Sequence, residues 1–285
     1  MANLKIIRER IKSVQNIQKV TKAMKMVAAA KLRRSQERME QARPYEERLS
    51  GVILSLLPDV ERNLLPLLDV REVNRVAYVV VTSDRGFAGA FNANVIRRTE
   101  EEIRVLGKEK VDIFCIGRKG RDYFKKRSYT IIEEQIEFWN DLSFEHAIKF
   151  GNSIISHFTN GVVDEVRVVY NWFKNVANQE LRVERLLPLV YDEEKVALVD
   201  RLYEPSKEQL VRSLIPRHLN VEMWKYLLES FASEQAARMV AMDNATENAG
   251  ELIRDLKLKF NKARQASITK EVLEIVSGAE ALANA

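Results

Sequence analysis

The chain has 285 residues, 46% of them hydrophobic, which is enough for one globular domain and a further extended element. Its single cysteine, Cys115, excludes an internal disulfide and a thiolate metal site, and its three histidines lack metal-ligand spacing, as is typical of a reducing compartment. No apolar run reaches 18 residues and residues 1–5 lack an apolar signal core, so we expect neither a membrane span nor a leader.

The net charge of +5 is unevenly distributed along the chain. Residues 1–38 contain eleven Lys and Arg residues but only two acidic ones, whereas the remainder contains 35 basic and 39 acidic residues. Because the basic character belongs to one segment, we expect that segment to meet an acidic surface.

Residues 3–57 have the apolar spacing of a long helix. The seam begins with four heptad positions: Leu4, Ile7, Ile11 and Val14. It then slips to a second set, which we interpret as a coiled-coil stutter: Ile17, Val20, Met24 and Val27. Pro44 is expected to kink or restart this helix, and Pro58 and Pro66 to close it. Residues 1–58 are therefore predicted to form a long N-terminal helix.

From residue 75 the apolar period changes to that of buried strands. Strands are predicted at 76–82, 111–116, 129–133, 165–173 and 180–188. Helices are predicted from 92 to 106, from 118 to 126, and from 143 to 159, the last with Ser143 as its N-cap. This alternation predicts an open α/β domain, Rossmann-like, over residues 74–195.

Apolar residues recur at gaps of three and four from 221 to 285, with no proline among them. At 1.5 Å per residue, this run makes a rod of about 95 Å, which needs a partner along its length. We assign residues 206–285 to a long C-terminal helix and expect Pro216 to break it near its start. The predicted fold is an antiparallel coiled coil of the N- and C-terminal helices, with the α/β domain inserted between them.

Two classes of function stay open at this point. A Rossmann-type enzyme requires a nucleotide at Gly86 to Gly89, although the spacing of these glycines does not match GxGxxG. A nucleic-acid binder uses the basic N-terminal helix on phosphates, and its affinity falls steeply with salt.

Three segments resemble the gamma subunit of bacterial-type F-type ATP synthases. They are residues 10–29 (RIKSVQNIQKVTKAMKMVAA), residues 232–242 (ASEQAARMVAM) and residues 261–279 (NKARQASITKEVLEIVSGA). The central stretch 83–86, with Gly89 and Asn92, is similar to the same family. The resemblance covers the whole chain.

This resemblance implies a rotor shaft that transmits rotation between a membrane c-ring and a catalytic ring of three alpha and three beta subunits. It couples proton transport to ATP synthesis or hydrolysis, and epsilon is a further partner. The subunit is expected to be non-catalytic, present once per complex, and peripheral on the cytoplasmic face of the bacterial plasma membrane. No cofactor, metal, nucleic acid or direct small-molecule ligand is expected.

The resemblance also implies three groups of contact residues. The polar residues expected to engage loops of beta in a catch are Arg238, Gln265, Thr269 and Glu271. Those expected to face an acidic loop of beta are Lys22, Met24 and Lys25. Those expected on the foot, towards the c-ring, are Arg43, Tyr45 and Glu204.

Overall fold

The computed structural model describes residues 2–56, 65–190, 204 and 206–283. Within them, five α-helices alternate with five strands in this order: α1 (Ala2–Leu56), β1 (Val76–Val81), α2 (Phe91–Leu106), β2 (Val111–Ile116), α3 (Arg118–Lys126), β3 (Ile131–Gln135), α4 (Phe144–Thr159), β4 (Glu165–Phe173), β5 (Gln179–Leu187) and α5 (Lys207–Ala283). The predicted architecture, an α/β domain between two long helices, is confirmed. The predicted connector at 191–203 and Pro58 lie outside the described residues.

The chain forms two compact units. The first contains Met1–Val27 and Met239–Ala285, and the second contains Ala28–Arg238. The predicted segments (1–58, 74–195 and 206–285) divide the chain by its helices and its sheet, whereas these two units each combine parts of both long helices. The predicted boundaries therefore stay a prediction.

The first unit is an antiparallel pair of helical segments. The guanidinium of Arg8 lies 5.5 Å from the centre of the Phe260 ring, and Val14 packs with Ile253. The Thr21 and Thr246 hydroxyls are 2.7 Å apart. Partner numbers fall along α5 as they rise along α1, so the predicted antiparallel arrangement is confirmed.

The apolar seam of α1 keeps one heptad register, and the predicted slip is wrong. Residues at every seventh position are buried, except that Ala42 is half-buried; the series is Val14, Thr21, Ala28, Ser35, Ala42, Leu49 and Leu56. The residues expected to carry the slipped seam are instead largely exposed, with Ile17, Val20 and Val27 each more than half accessible. The register persists because polar seam residues are satisfied across the pair: Gln18 donates to the Thr246 carbonyl at 3.3 Å, and Lys25 to Asp243.

Two prolines lie inside long helices, so the break expected at Pro216 is wrong, while the kink expected at Pro44 stays a prediction. Pro44 lies within α1 and Pro216 within α5. Proline removes one backbone hydrogen bond and frees one carbonyl four residues earlier. Pro44 is on the exposed side of α1, where water can bind that carbonyl, and Ile215 and Leu219 are buried beside Pro216. Packing of the surrounding turns therefore outweighs the lost bond.

The second unit is built around a five-stranded sheet in the order β3-β2-β1-β4-β5. Strands β1 to β4 run parallel, while β5 pairs antiparallel with β4. β1 and β2 are buried along their whole lengths, as expected for the wholly apolar sequence of β1 and for that of β2, which is apolar except for Asp112. The short connection between β4 and β5 permits only a hairpin, so it accounts for the antiparallel edge.

Each face of the sheet has its own core. Alternate residues of β1 (Val76, Tyr78, Val80) pack against α2 and α3. The other residues of β1 (Ala77, Val79, Val81) pack with α4, with the C-terminal part of α1 and with the start of α5. The long helices therefore complete the core of the α/β domain, and Tyr170 and Tyr226 meet there with ring centres 4.7 Å apart.

Candidate partner-binding surfaces

A lysine-lined groove lies on the first unit. It has a volume of about 510 Å³, and its lining includes Lys19, Lys22, Lys25 and Met26 of α1 with Asp243 and Thr246 of α5. The Lys25 Nζ atom is 2.6 Å from an Asp243 oxygen, so one of the three lysines is neutralised within the chain. Lys22 is exposed. The groove is therefore basic and suits an acidic partner.

Residues predicted to face an acidic loop differ in their availability. Lys22 is accessible, Met24 is half-buried, and Lys25 is held by Asp243. Sequence reasoning missed the surface beside them, because it assigned Ile17, Val20 and Val27 to the helix seam. The signal that could have found it is the polar run Gln18, Thr21 and Lys25, whose heptad spacing continues the seam from Val14.

The C-terminal part of α5 is uncovered. Every residue from 268 to 279 is exposed, and the predicted catch residues Gln265, Thr269 and Glu271 are accessible as well. Five apolar side chains in this stretch are about half or more accessible: Ile268, Val272, Leu273, Ile275 and Val276. Helical spacing places Gln265 and Thr269 on the same broad face as Ile268 and Val272. A contiguous exposed apolar face of this kind marks a surface that another molecule covers.

Arg238, the fourth predicted catch residue, belongs to the second unit and is only 11% exposed. Its guanidinium donates to Glu234 at 2.7 Å and to the Gly86 carbonyl at 3.1 Å. The side chain therefore ties α5 to the loop that follows β1.

That loop is itself pinned by side chains. The Asp84 carboxylate accepts from the backbone N–H groups of Arg118 and Glu137, and Asn92 accepts from the Ser83 N–H. Its exposed residues include Phe87, which holds a left-handed φ of 62°.

The crevice that a Rossmann-type enzyme would use is filled by α5. In an open α/β sheet, ligands bind beyond the carboxyl ends of the strands, at the point where the connecting helices pass from one face of the sheet to the other. In this sheet that point lies between β1 and β4. Ser233 of α5 donates to the Asn171 carbonyl of β4 at 3.0 Å, and Arg238 binds Gly86 after β1. Ser233 and Gln235 are buried. This occupation argues against a nucleotide at Gly86 to Gly89.

The three residues predicted to lie on the foot are all accessible. Tyr45 is about half exposed, and Arg43 and Glu204 are exposed. Arg43 and Tyr45 flank Pro44 in α1. The structure thus leaves each of them available for a partner.

Cys115 lies within β2 and is buried. Burial is the largest cause that raises the pKa of its thiol, to about 12. The thiol therefore stays protonated at neutral pH and packs as a small apolar side chain.

Comparison with known proteins identifies relatives along the whole length of the chain. A family model described as ATP synthase matches residues 3–282. The ATP synthase gamma chain of Chlorobaculum parvum is 48% identical over 290 residues, covering 99% of each chain. That of Moorella thermoacetica is 44% identical over 282 residues, covering 99% of this chain and all of the relative.

Solved structures share the fold. A chain of the Euglena gracilis mitochondrial ATP synthase (OSCP/F1/c-ring) has a TM-score of 0.73 at 22% identity, covering 99% of this chain and 95% of that one. A chain from the Tetrahymena thermophila central stalk and c-ring has a TM-score of 0.63 at 24% identity, covering 79% and 99%. Among the helices in the described ranges, none combines the length and apolarity needed to cross a bilayer.

Proposed function

Because the chain belongs to the family of ATP synthase gamma chains, we propose that it is the central rotor shaft of an F-type ATP synthase. In this function it transmits rotation between the membrane c-ring and the catalytic ring of alpha and beta subunits. Proton transport is thereby coupled to ATP synthesis or hydrolysis. The chain acts without catalytic residues of its own, since the chemistry takes place in its partners.

The mechanism follows from the unequal faces of the shaft. In the first unit, one face of α1 presents Lys19 and Lys22, and another presents Ile17, Val20 and Val27. Subunits placed around such a shaft meet different chemistry at each angle. A ligand shifts a conformational equilibrium only through differential contacts, and turning the shaft changes which beta conformation receives which contacts.

The exposed end of α5 carries this proposal. Gln265, Thr269 and Glu271 are the polar contacts of the catch, and the apolar side chains beside them are covered by the alpha and beta ring. Arg238 is the fourth catch residue. The contact of Arg238 with beta either replaces the hydrogen bonds that Arg238 donates to Glu234 and Gly86 within the chain or forms in addition to them.

The basic groove of α1 receives the acidic loop of beta. Lys22 supplies the accessible charge, Met24 the adjoining apolar surface, and Lys25 a cation that Asp243 already balances in the free chain. Charge attraction brings the loop to the groove. Apolar contact with Met26, which lines the same groove, adds stability once water is displaced.

The foot residues Arg43, Tyr45 and Glu204 face the c-ring, and epsilon binds at the same end. One copy serves three alpha and three beta subunits. The complex is peripheral on the cytoplasmic face of the bacterial plasma membrane.

The proposal is tested by reconstitution. We expect the purified chain, mixed with alpha and beta subunits of a close bacterial relative, to form one complex. ATP hydrolysis by this complex should turn a bead attached to the α/β domain. For labelling, the exposed residue Lys108 is replaced by cysteine (Lys108→Cys). A chain that binds duplex DNA with steep salt dependence and fails to join alpha and beta would overturn the proposal in favour of the nucleic-acid alternative.

A further inference from the structure

A buried cluster of ionisable groups lies in the second unit, where α1, α5 and the β4–β5 hairpin meet. The Lys225 Nζ atom of α5 is 2.7 Å from a Glu46 oxygen of α1 and 3.5 Å from a Glu222 oxygen. One lysine therefore lies between two carboxylates that come from different helices.

The hairpin contributes a third carboxylate and a cation. The Tyr170 hydroxyl of β4 donates to Glu184 of β5 at 2.9 Å, and Arg182 is 3.7 Å from the same carboxylate. The ring of Tyr226 in α5 packs against Tyr170. One face of α5 is formed by residues three or four positions apart, namely 222, 225, 226 and 229. This face is directed at the hairpin.

Glu229 is the member of this face whose charge is least compensated. It is buried, with 8% of its surface exposed, and its Oε2 atom has no hydrogen-bond partner. The groups that act on it are Lys225 of its own helix, Glu184 and Arg182 of β5, Glu46 of α1 and Tyr170 of β4. Three other carboxylates, including Glu222, surround two cations, so a further negative charge at Glu229 is poorly balanced. An ionised carboxylate in this position is far more costly than a protonated one, because burial penalises a charge much more than a neutral polar group.

We propose that Glu229 binds a proton in the folded chain at mildly acidic pH, and that loss of this proton towards neutral pH loosens the packing of α5 against α1 and the β4–β5 hairpin. A proton suits this site because it neutralises the buried, unpartnered carboxylate oxygen without requiring further ligands. The proposal concerns the isolated chain and does not depend on its assembly with partners.

The electrostatic environment agrees with this geometry. Burial is the largest cause that raises the pKa of Glu229, from 4.5 to about 7, and Lys225 opposes it. Burial also raises the pKa of Glu222. Between pH 4.5 and 7 the folded chain therefore keeps a proton on Glu229 that the unfolded chain releases, so this contribution to stability is lost as pH rises through that window.

His218 responds in the opposite direction. Burial lowers its pKa to about 4, so the unfolded chain binds a proton below pH 6.5 that the folded chain does not, and stability falls as pH decreases. The two effects offset each other in the total pH profile. The test must therefore compare two chains that share His218 and differ only at residue 229.

The experiment is urea unfolding of the full chain and of Glu229→Gln between pH 5 and 9, with Glu47→Gln, an exposed acid on α1, as the matched control. Glutamine keeps the shape of a protonated glutamate. We expect the ratio of the unfolding constants, wild type over Glu229→Gln, to increase by up to about tenfold per pH unit from pH 5 to 7 and then level off. The ratio for Glu47→Gln should vary far less over the same range.

A ratio for Glu229→Gln that is flat with pH, like the control, would overturn the proposal. Should this variant fail to fold, infrared spectroscopy of the wild type with ¹³C-labelled glutamate reads protonated carboxyl groups directly. We expect one carboxylic acid band to disappear around pH 7. Its absence at pH 6 would refute the assignment as well.

Discussion

Replacing Arg238 with alanine separates a structural role from a partner contact. Sequence reasoning alone predicts that Arg238→Ala lowers coupled turnover without unfolding the subunit. The structure adds a cost, because Arg238 and Glu234 are only 11% and 7% exposed and form a 2.7 Å ion pair. Breaking one side of a buried pair typically costs about 3–5 kcal/mol. Gln235 still donates to Glu234 at 2.8 Å, which reduces the penalty, so we expect a loss of about 3 kcal/mol.

The assay is urea unfolding followed by tryptophan fluorescence. Trp139, Trp172 and Trp224 all lie in the second unit, as do both partners of the pair, so the signal reports the affected structure. The matched control is Arg33→Ala, which removes an exposed i,i+4 partner of Glu37 in the same unit and should cost about 0.3–0.5 kcal/mol.

A double-mutant cycle completes the test of Arg238. The double variant Arg238→Ala/Glu234→Gln should be more stable than Arg238→Ala alone, because no carboxylate is then left unpaired. If Arg238→Ala costs no more than Arg33→Ala, or if the second change gives no recovery, the pair does not stabilise the fold as argued. The folded fraction from these unfolding curves also allows the activity of Arg238 variants to be expressed per folded molecule. A loss of stability is then not counted as a lost contact with a partner.

Three further outcomes are expected. Gln265→Ala should lower ATP hydrolysis by the assembled complex while leaving the unfolding curve of the free chain unchanged, since this side chain is exposed; unchanged hydrolysis would contradict its assignment to the catch. Hydrogen exchange in the free chain should be slow in 76–81 and 111–116 and much faster in 2–27 and 239–283, because the first unit has a small apolar cluster and the strands are fully buried; equal protection of both would refute this. Met24→Lys should weaken coupling of proton transport to ATP turnover with assembly preserved, because a charge-assisted bond of about 1.5–3 kcal/mol to an acidic loop must break at each step; proton pumping that matches ATP turnover in vesicles would show that the bond does not form.

Local sequence patterns alone determine most of the secondary structure. Strands β2 and β4 have the predicted bounds, because both are rich in the β-branched and aromatic residues that favour strands. The length of α5 and the antiparallel pairing of its far end with α1 also follow from periodicity, since a long helix with an apolar face needs a partner. The family resemblance rests on segments of this kind.

The partners of individual polar side chains depend on tertiary structure. The seam of α1 looked interrupted because Gln18, Thr21 and Lys25 are polar, and only α5 opposite them supplies Thr246 and Asp243 to satisfy them. Pro44 and Pro216 are tolerated because packing outweighs one lost bond. Arg238 looked like a surface contact until the loop after β1 was placed beside it.

Glu229 shows the same limit for a titrating group. Its sequence neighbours mark an ordinary helical face, but its environment is made by α1 and by a hairpin some 45 residues before it in the chain. Propensity and periodicity act over a few residues and can be read directly from the sequence. Burial and charge compensation sum over groups that only folding brings together, so they were decided by the tertiary structure.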